Sequence, residues 1–576
     1  MMRRAIETSI GLIAALFLAT GCSDKPPEES MPETPVDATP QTATVPTGEA
    51  QSAAASAGHS GVIKGVVTDA AGRPLTGAFV KLQNDARNLT FMFISQDDGR
   101  YTADKLPAGS YVVQGVGNDF ESVWSAPVSI PENGTAETDL VLNAERAPDL
   151  PAAWPRRVPE HMATTENLPE GPGRDIITSR CVGCHAASQV AGNRYDAANW
   201  ARSIDEMRGY MREGGVTDLS EVDVAVLMDY LTTNLAPMPA PDPNSRLPRT
   251  LMQGEAGNYR VVQYNLENEE AEAHDVAVDP WGVGWANQRT GGMISRFDPV
   301  TYDYREIGPP LHTAKRARPG NLQISKDGIM WLPDPFETRW LSYDIANDKW
   351  TDWPFPTDKI RGQVQGNSMV LHPDGTVWSA GPGAARRLDP ATGEWSAWDT
   401  PTWTATQTNP GGYGITVAGD GRVWMAENLA DRLARFDGET GEVVEFEIPV
   451  EGTAYPRRMD YDPEGNVWIG LWGAGKILRI DYKTDEMTVI DPPIPYNGAY
   501  SIDFDETNNL LWITLQTVDI IARYNPRTEE WLMLPLPQAE TDARRIEVDQ
   551  HRPNRIWWSS TANFARIGFV ELLEDD

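Results

Sequence analysis

The chain has 576 residues and a formal net charge of −34, with 83 acidic and 49 basic side chains. A chain this acidic lacks the clustered lysines and arginines that bind phosphates, and this excludes nucleic acid as a partner. The length is too great for a single hydrophobic core and predicts three or four domains.

Residues 1–22 have the features of an export signal. Two arginines precede an apolar run from Ile10 to Leu18, and small residues stand directly before Cys22. The segment resembles a bacterial lipoprotein signal, although Ala19 stands where that family more often has leucine. The resemblance implies lipidation at Cys22 and a protein anchored on the periplasmic side of the cell envelope. The alternative is plain secretion with an unmodified cysteine, because the apolar run is too short to span a bilayer.

The next segments are predicted to be structural. Residues 23–60 are rich in Pro, Thr, Ala, Ser and Glu and predict a disordered tether. Residues 61–145 contain short alternating runs separated by turn residues such as Asp97-Asp98-Gly99. This segment resembles the carboxypeptidase regulatory-like domain, a small β-sandwich that serves as a spacer or docking module. The prolines of residues 146–169 predict an extended linker.

The segment Cys181-Val182-Gly183-Cys184-His185 carries the clearest chemical signal. Two thiols at this spacing, followed at once by an imidazole, fit covalent attachment of haem c, with His185 as an axial ligand of the iron. A redox dithiol or half of a zinc site is the alternative. A complete zinc site needs a second ligand cluster, and the third cysteine is Cys22. With Cys181 and Cys184 bound to haem, no disulfide is expected.

The candidates for the second axial ligand of the haem iron are two methionines downstream of the motif. Met207 and Met211 are four residues apart, so a helix would place both on one side. Their order after Trp200 and before Tyr230-Leu231 resembles the class I cytochrome c domains of periplasmic oxidoreductases, over residues 170–240. The resemblance implies an all-α domain with Met207 on the iron and Met211 as the alternative ligand. It remains open whether both methionines pack in the core and a histidine or water completes the iron.

Residues 250–576 contain a repeat of 44 to 47 residues. Its anchors are Trp285, Trp331, Trp378, Trp424, Trp468, Trp512 and Trp557. Asp-Gly pairs precede several of them and are strong hairpin signals. Repeats of this length indicate radial sheets, so a seven-bladed β-propeller is predicted. The blade motifs resemble the streptogramin (virginiamycin B) lyase family.

That family implies a lyase reaction carried by histidines with a magnesium ion. Only His274 keeps an imidazole at the corresponding positions, whereas the late blades have Arg457, Tyr500 and Arg544. An arginine stays protonated and cannot act as a general base. Streptogramin lyase activity and a magnesium cofactor are therefore unsupported.

The same positions suggest a binding site at one mouth of the propeller channel. Guanidinium groups bind carboxylates or phosphates in bidentate fashion, so a donor-rich mouth suits an anionic or carbonyl-bearing small molecule. The alternative is that the arginines pair with Asp460, Asp503 and Glu547, which follow on the same strands. The candidate residues are His274, Asn321, Asn367, Tyr413, Arg457, Arg458, Tyr500, Arg544 and Arg545.

Together the patterns predict a multidomain protein with a β-sandwich, an all-α cytochrome c domain and a C-terminal seven-bladed β-propeller. The first hypothesis is electron transfer through haem c, with the propeller binding a ligand or a periplasmic redox partner. The second is a periplasmic dehydrogenase that oxidises its substrate at the propeller and releases electrons through the haem. A quinone would serve that reaction. The turns at residues 389–393 and 437–441 resemble quinoprotein docking motifs, but ordinary blade turns are the favoured interpretation, so a quinone is unsupported. The third is a lyase-like enzyme tethered to a cytochrome.

Overall fold

A computed structural model describes the chain from residue 59 onward with several gaps. The described residues are 59–150, 165, 168–181, 190, 194–213, 217–237, 241–268, 271–361, 364, 366, 368–561 and 565–573. All of them belong to one unit, Thr47–Asp576. The predicted signal with Cys22, nearly all of the tether, and Cys184, His185 and Asn367 lie outside the described residues. None of the described helices is long and apolar enough to cross a membrane.

The first part of the structure is the predicted β-sandwich. One sheet has the order β4-β1-β8, with β9 also paired to β1, and the other begins β10-β6-β5-β2-β3, with β7 paired to β5. The strands are β1 (Gly61–Asp69), β2 (Phe79–Asn84), β3 (Leu89–Ile94), β4 (Arg100–Leu106), β5 (Gly109–Gly117), β6 (Phe120–Glu121), β7 (Val128–Ile130), β8 (Thr135–Glu137), β9 (Leu140–Leu142) and β10 (Ala144–Glu145). Alternation along β4 buries Tyr101 and Ala103 in the sandwich core, and a register shift after Ala103 brings Leu106 into the same core.

The second part consists of four-stranded antiparallel sheets, which we number as blades 1–7. Each inner strand contacts the inner strand of the next blade, and the last contacts the first, so the blades close a ring. Blades 1–3 contain β12 (Ala273–Val278), β13 (Gly284–Gln288), β14 (Met293–Phe297), β15 (Tyr304–Ile307), β16 (Gln323–Ile324), β17 (Ile329–Asp334), β18 (Arg339–Asp344), β19 (Lys349–Pro354), β20 (Met369–Leu371), β21 (Val377–Gly381), β22 (Ala384–Asp389) and β23 (Glu394–Asp399).

Blades 4–7 repeat the same arrangement. They contain β24 (Ile415–Val417), β25 (Val423–Glu427), β26 (Arg432–Phe436), β27 (Val443–Glu447), β28 (Pro456–Tyr461), β29 (Val467–Leu471), β30 (Lys476–Ile480), β31 (Met487–Ile490), β32 (Ala499–Asp505), β33 (Leu510–Leu515), β34 (Ile520–Tyr524), β35 (Trp531–Pro535), β36 (Ala543–Val548), β37 (Arg555–Ser560) and β38 (Arg566–Leu572). Blade 7 takes its fourth strand, β11 (Tyr259–Asn265), from the start of the region, and β11 pairs with β38. The predicted propeller sheets are confirmed.

The tryptophan anchors lie on the second strand of every blade and are all buried. In five blades the residue opposite the tryptophan on the third strand is an arginine, whose guanidinium lies 5.4 to 5.9 Å from the indole centroid. The pairs are Trp285 with Arg296, Trp378 with Arg387, Trp424 with Arg435, Trp468 with Arg479 and Trp512 with Arg523. The repeat therefore encodes a cross-strand cation–π contact as well as a buried ring.

The sandwich and the propeller share a sheet. β11 pairs with β38 on one side and with β3 of the sandwich on the other, where Val261 lies opposite Met92 and Tyr264 opposite Leu89. The result is one ten-stranded sheet that runs from the sandwich into blade 7. The hydrophobic core is also continuous, because Phe91 of β3 and Trp557 of blade 7 belong to the same buried cluster.

Four α-helices are found among the described residues. They are α1 (Pro172–Ile176), which continues into a π-helical turn at Ile177–Cys181, α2 (Ala197–Glu213), α3 (Glu221–Asn234) and α4 (Pro401–Thr406). Helix α3 begins with a capping box formed by Ser220 and Asp223. Gly173 of α1 lies against the ring of Tyr230, with no room for a Cβ atom. A small apolar cluster lies between α1, α2 and α3 and includes Ile177, Trp200, Ile204, Met211, Leu227 and Leu231.

The prediction of an all-α cytochrome c domain is wrong. The described structure is mainly β-sheet, and three of its four helices share the one small cluster between residues 168 and 235. The helical spacing around Trp200 and Tyr230 did predict local helices. However, α2 directs the carboxylate of Glu206 onto Arg318 of blade 2, at 3.3 Å, and both side chains are largely buried. Helix α2 is thus joined to the propeller by an ion pair, while the three helices pack mainly on one another.

Candidate functional site

The inner strands of blades 5, 6, 7 and 1 have irregular register near their starts. The breaks fall between Pro456 and Met459, Ala499 and Ile502, Ala543 and Arg545, and Ala273 and Val276. Bulges of this kind turn side chains out of the regular alternation. The affected residues are the predicted ones: Arg457 and Arg458, Tyr500, Arg544 and His274. Four neighbouring blades therefore present them at one end of the channel.

In blades 4–7 a left-handed residue stands two positions before the candidate residue, which is Tyr413, Arg457, Tyr500 or Arg544 in turn. It is Gly411 in blade 4 (φ 92°) and Gly498 in blade 6 (φ 58°), but Tyr455 in blade 5 (φ 44°) and Asp542 in blade 7 (φ 53°). This conformation is costly for residues with a Cβ atom, and strain of this kind concentrates at functional sites. Tyr455 and Asp542 each contact the arginine two residues later, as described below.

Arg458 of blade 5 crosses the channel. Its Nη1 donates to Oγ of Ser368 in blade 3 at 3.0 Å, and its Nη2 donates to the carboxylate of Asp275 in blade 1. Both Arg458 and Asp275 are buried. Although burial raises the pKa of Asp275, Arg458, His274 and Arg545 together outweigh that effect and hold this pKa well below its usual value. The pair forms a charged floor beneath the mouth.

His274 lies beside this floor. Its Nδ1 is 2.7 Å from Oδ1 of Asp275 and 3.3 Å from Nη2 of Arg458. Burial, reinforced by Arg289, lowers the pKa of His274 to about 4, so the imidazole is neutral at pH 7. Because Asp275 accepts the Nδ1 proton, Nε2 is left as an acceptor.

Arg457 has a different environment from its neighbour Arg458. It is fully buried, and its guanidinium lies 4.1 Å from the ring centroid of Tyr455, 4.5 Å from Tyr413, 5.1 Å from Tyr500 and 5.4 Å from Trp472. We call these four rings the aromatic cage. Within the described part of the chain, none of the three guanidinium nitrogens of Arg457 has a hydrogen-bond partner. Buried guanidinium groups are normally paired, so this one is an exception that needs explaining.

The hydroxyl groups of Tyr413 and Tyr500 share a hydrogen bond beside the cage. Arg544 approaches them, with Nη1 3.5 Å from the Tyr500 hydroxyl, and is held from behind by Asp542, which accepts from its Nε at 2.9 Å. Burial tends to raise the pKa of Tyr500, but Arg544, Arg457 and Arg458 together lower it below its usual value. The mouth therefore has a positive potential despite the acidic net charge of the chain.

The downstream carboxylates serve mainly to join blades. Asp460 accepts from the backbone N–H of Phe504 at 2.9 Å, Asp503 from Val548 at 2.7 Å, and Glu547 from Val278 at 3.1 Å. Each carboxylate thus ties an inner strand to that of the next blade. Of the arginines, Arg545 lies near this group, 3.4 Å from Glu547. The alternative pairing therefore holds for Arg545, whereas Arg458 and Arg544 pair with Asp275 and Asp542.

The remaining predicted residues are less informative. Asn321 is buried beside the mouth, and both of its amide atoms lack hydrogen-bond partners among the described residues. Met211 packs in the helical cluster, and Met207 is half-buried on the same helix. Cys181 is partly buried at the edge of that cluster. In the described ranges, no three His, Cys, Asp or Glu side chains are grouped to hold a metal ion.

Four contributing residues were missed from the sequence: Asp275, Tyr455, Trp472 and Asp542. Tyr455 and Asp542 had a signal, because they replace glycines at one position of the repeat. Trp472 also had one, since it follows the second strand where blade 6 has a polar residue, Gln516. The ion pair between Asp275 and Arg458 had no signal in the sequence, because it joins positions 183 residues apart.

Comparisons with known proteins give one family match and several similar solved structures. Residues 62–143 match the carboxypeptidase regulatory-like domain family. No curated protein sequence matches the chain. Virginiamycin B lyase from Staphylococcus aureus is a similar solved structure, at 20% identity and a TM-score of 0.47, covering 55% of this chain and 100% of that chain.

Two further solved structures are similar to the chain. A streptogramin B lyase has 19% identity and a TM-score of 0.48, covering 56% of this chain and all of its own. Kuenenia stuttgartiensis hydrazine synthase has 12% identity and a TM-score of 0.42, covering 51% and 94%. Residues 62–143 are therefore a carboxypeptidase regulatory-like domain, and the propeller is structurally similar to that of virginiamycin B lyase.

Proposed function

We propose that this protein is an exported electron-transfer protein that holds one haem c through Cys181, Cys184 and His185, with the propeller as its recognition part. The observation that carries the proposal is the C-x-x-C-H sequence directly after a helical segment. When bound, haem c would supply one-electron transfer. A periplasmic redox partner would exchange the electron.

The described residues around Cys181 are compatible with a large apolar group. Cys181 ends the π-helical turn that follows α1, and it lies partly buried against the helical cluster together with Val190, Tyr195 and Met228. Apolar surroundings that exclude water suit a porphyrin and tune its iron. Met211 is already enclosed in the cluster, which leaves the half-buried Met207 as the better candidate for an axial ligand.

Export and lipidation complete the proposal. The signal-like residues 1–22 and the haem motif both point to the periplasm, because covalent haem attachment takes place outside the bacterial cytoplasm. Lipidation at Cys22 would tether the folded unit to a membrane surface without a membrane-spanning helix.

Expression in a host that matures c-type cytochromes tests the proposal. We expect a haem-stained band at the mass of the chain on a denaturing gel and a c-type pyridine haemochrome spectrum. Replacing both thiols (Cys181→Ala with Cys184→Ala) is expected to abolish the stain. Cys22→Ser serves as the matched control, which should keep the haem and lose the membrane association. A colourless wild-type protein from such a host would contradict the proposal.

The axial ligand has its own test on the same protein. Met207→Leu is expected to remove the methionine-to-iron charge-transfer absorbance, and Met211→Leu is expected to preserve it. The reverse result would assign Met211, and loss in neither variant would show that another group completes the iron.

A further inference from the structure

We propose that the aromatic cage around Arg457 binds the carboxylate group of a small organic monoanion. The inference rests on the proposed recognition role of the propeller, and its test is separate from the test for haem.

The first step is the missing counter-charge of Arg457. This side chain is fully buried, and none of its guanidinium nitrogens has an acceptor in the structure as described. A buried cation without acceptors is strongly unfavourable, and the four aromatic rings compensate for only part of the lost hydration. An arginine kept in such a place is suited to an acceptor that arrives from outside the chain.

The second step is that the nearby carboxylates already have partners. Asp275 accepts from Arg458, and Asp542 accepts from Arg544, Gln516 and Thr561. Two further arginines beside the mouth, Arg545 and Arg289, lie 3.4 and 3.7 Å from the carboxylates of Glu547 and Glu272, and His274 is neutral at pH 7. One positive charge, that of Arg457, is left uncompensated. A monoanion would balance the site.

The third step concerns the shape of the ligand. The guanidinium is a planar fork that matches a carboxylate with two parallel hydrogen bonds. The walls are aromatic, so the part of the ligand beside the carboxylate would contact ring faces. The hydroxyl groups of Tyr413 and Tyr500 add polar contacts at one side. Arg544, whose side chain is 14% exposed, offers the approach from the channel mouth.

The fourth step is the backbone strain that builds the cage. Tyr455 holds a left-handed conformation (φ 44°) at a position where blades 4 and 6 have glycine, and its ring is the one nearest to the Arg457 guanidinium. Folding alone would be served better by glycine at this position. The conformational cost of Tyr455 is consistent with a role in enclosing a ligand.

Thermal unfolding with added anions tests the proposal. Acetate and pyruvate are the probes, with inorganic phosphate as the contrasting anion and chloride at matched ionic strength as the baseline. We expect at least one carboxylate to raise the melting temperature of the wild-type protein by several degrees. Arg457→Gln should abolish this shift while leaving the ligand-free melting temperature unchanged or higher. Arg479→Gln, on β30 of the same blade, should retain the shift.

A haem propionate is the second source of a carboxylate in this protein, and a parallel arm distinguishes it. If the carboxylate-induced shift occurs only in the variant with Cys181→Ala and Cys184→Ala, the haem itself occupies the cage. If it occurs in both proteins, the ligand is a freely diffusing carboxylate. A crystal soaked with bromoacetate would locate the anion by its bromine signal. The proposal is overturned if no carboxylate stabilises either protein, if Arg457→Gln retains the shift, or if phosphate alone produces it.

Discussion

Arg457 and Arg458 are consecutive residues of one inner strand, yet their charges are compensated differently. Arg458 belongs to the charged floor of the propeller mouth, and Arg457 belongs to its wall, the aromatic cage. On the floor, Arg458 reaches across the channel, where its Nη1 donates to Ser368 and its Nη2 to the carboxylate of Asp275. On the wall, Arg457 is enclosed by aromatic rings and has no acceptor in the described structure. A buried arginine that is paired within the chain serves the fold, whereas one without a counter-ion is poised to bind. The residue type alone does not distinguish the two.

The largest expected effect comes from removing the counter-charge of the floor. Asp275→Ala leaves Arg458 buried with no carboxylate partner, and this should lower the free energy of unfolding by about 3–5 kcal/mol. Denaturant unfolding measures it. Asp420→Ala is the control, because it breaks a partly exposed pair with Arg422 and should cost less than about 1 kcal/mol. Equal losses in both variants would mean that the floor is not a structural ion pair.

A smaller effect is expected in the pH dependence of the free energy of unfolding, through the buried carboxyl group of Asp460. Burial raises the pKa of Asp460 from 3.8 to about 7, so the folded state favours its protonated form. This contribution to stability is complete below about pH 4 and is lost as the pH rises through 7. Asp460→Asn should therefore reduce the fall in stability between pH 5 and pH 8, by more than about 1 kcal/mol.

The matched control for this pH effect is Asp481→Asn. Asp481 is an exposed turn residue whose pKa is lowered by backbone hydrogen bonds from Lys483 and Thr484. Its contribution is lost only in acid, so the profile between pH 5 and pH 8 should not change. Thermal melts across this range give both profiles. An unchanged slope in Asp460→Asn would contradict the assignment.

The smallest expected change in stability comes from a stacked arginine that is only half-buried, and it separates the contribution of stacking from that of burial. Arg387 is half-buried beside the stacked rings of Trp378 and Trp398, with its guanidinium 5.8 and 5.3 Å from their centroids, and so resembles Arg457 without the full desolvation. Arg387→Met should cost about 0.5–1 kcal/mol. Arg305→Met, on an exposed outer strand, should cost nothing measurable. If Arg387→Met is also neutral, stacking contributes little to any of the blade pairs.

The propeller was predictable because its signal is repeated. Seven tryptophans at nearly equal spacing mark the same buried position in each blade. The turns before four of them end in glycines with the positive φ that such turns require: Gly328, Gly375, Gly421 and Gly465. Counting from these anchors also found the ring of candidate residues. It did not find their partners, because a bulge alters which way each side chain points and the contacts join distant blades.

The helical segment was predictable only locally. The spacing of Trp200, Met211 and Tyr230 indicated helices, and helices α2 and α3 are present. However, this segment occurs once in the chain, so there is no repeat from which its tertiary arrangement can be checked. Glu206 of α2 forms an ion pair with Arg318 of blade 2, and nothing in the sequence around Glu206 predicts this contact.

The position of β11 between β3 and β38 has a consequence for assembly. The strand that closes the propeller comes early in the chain, but its partner β38 consists of residues near the end, Arg566–Leu572. Until those residues are synthesised, β11 has only the sandwich strand β3 beside it. The sandwich can therefore act as a template: β3 pairs with one edge of β11 and leaves the other edge free for β38. The propeller ring then closes last, when β38 pairs with β11.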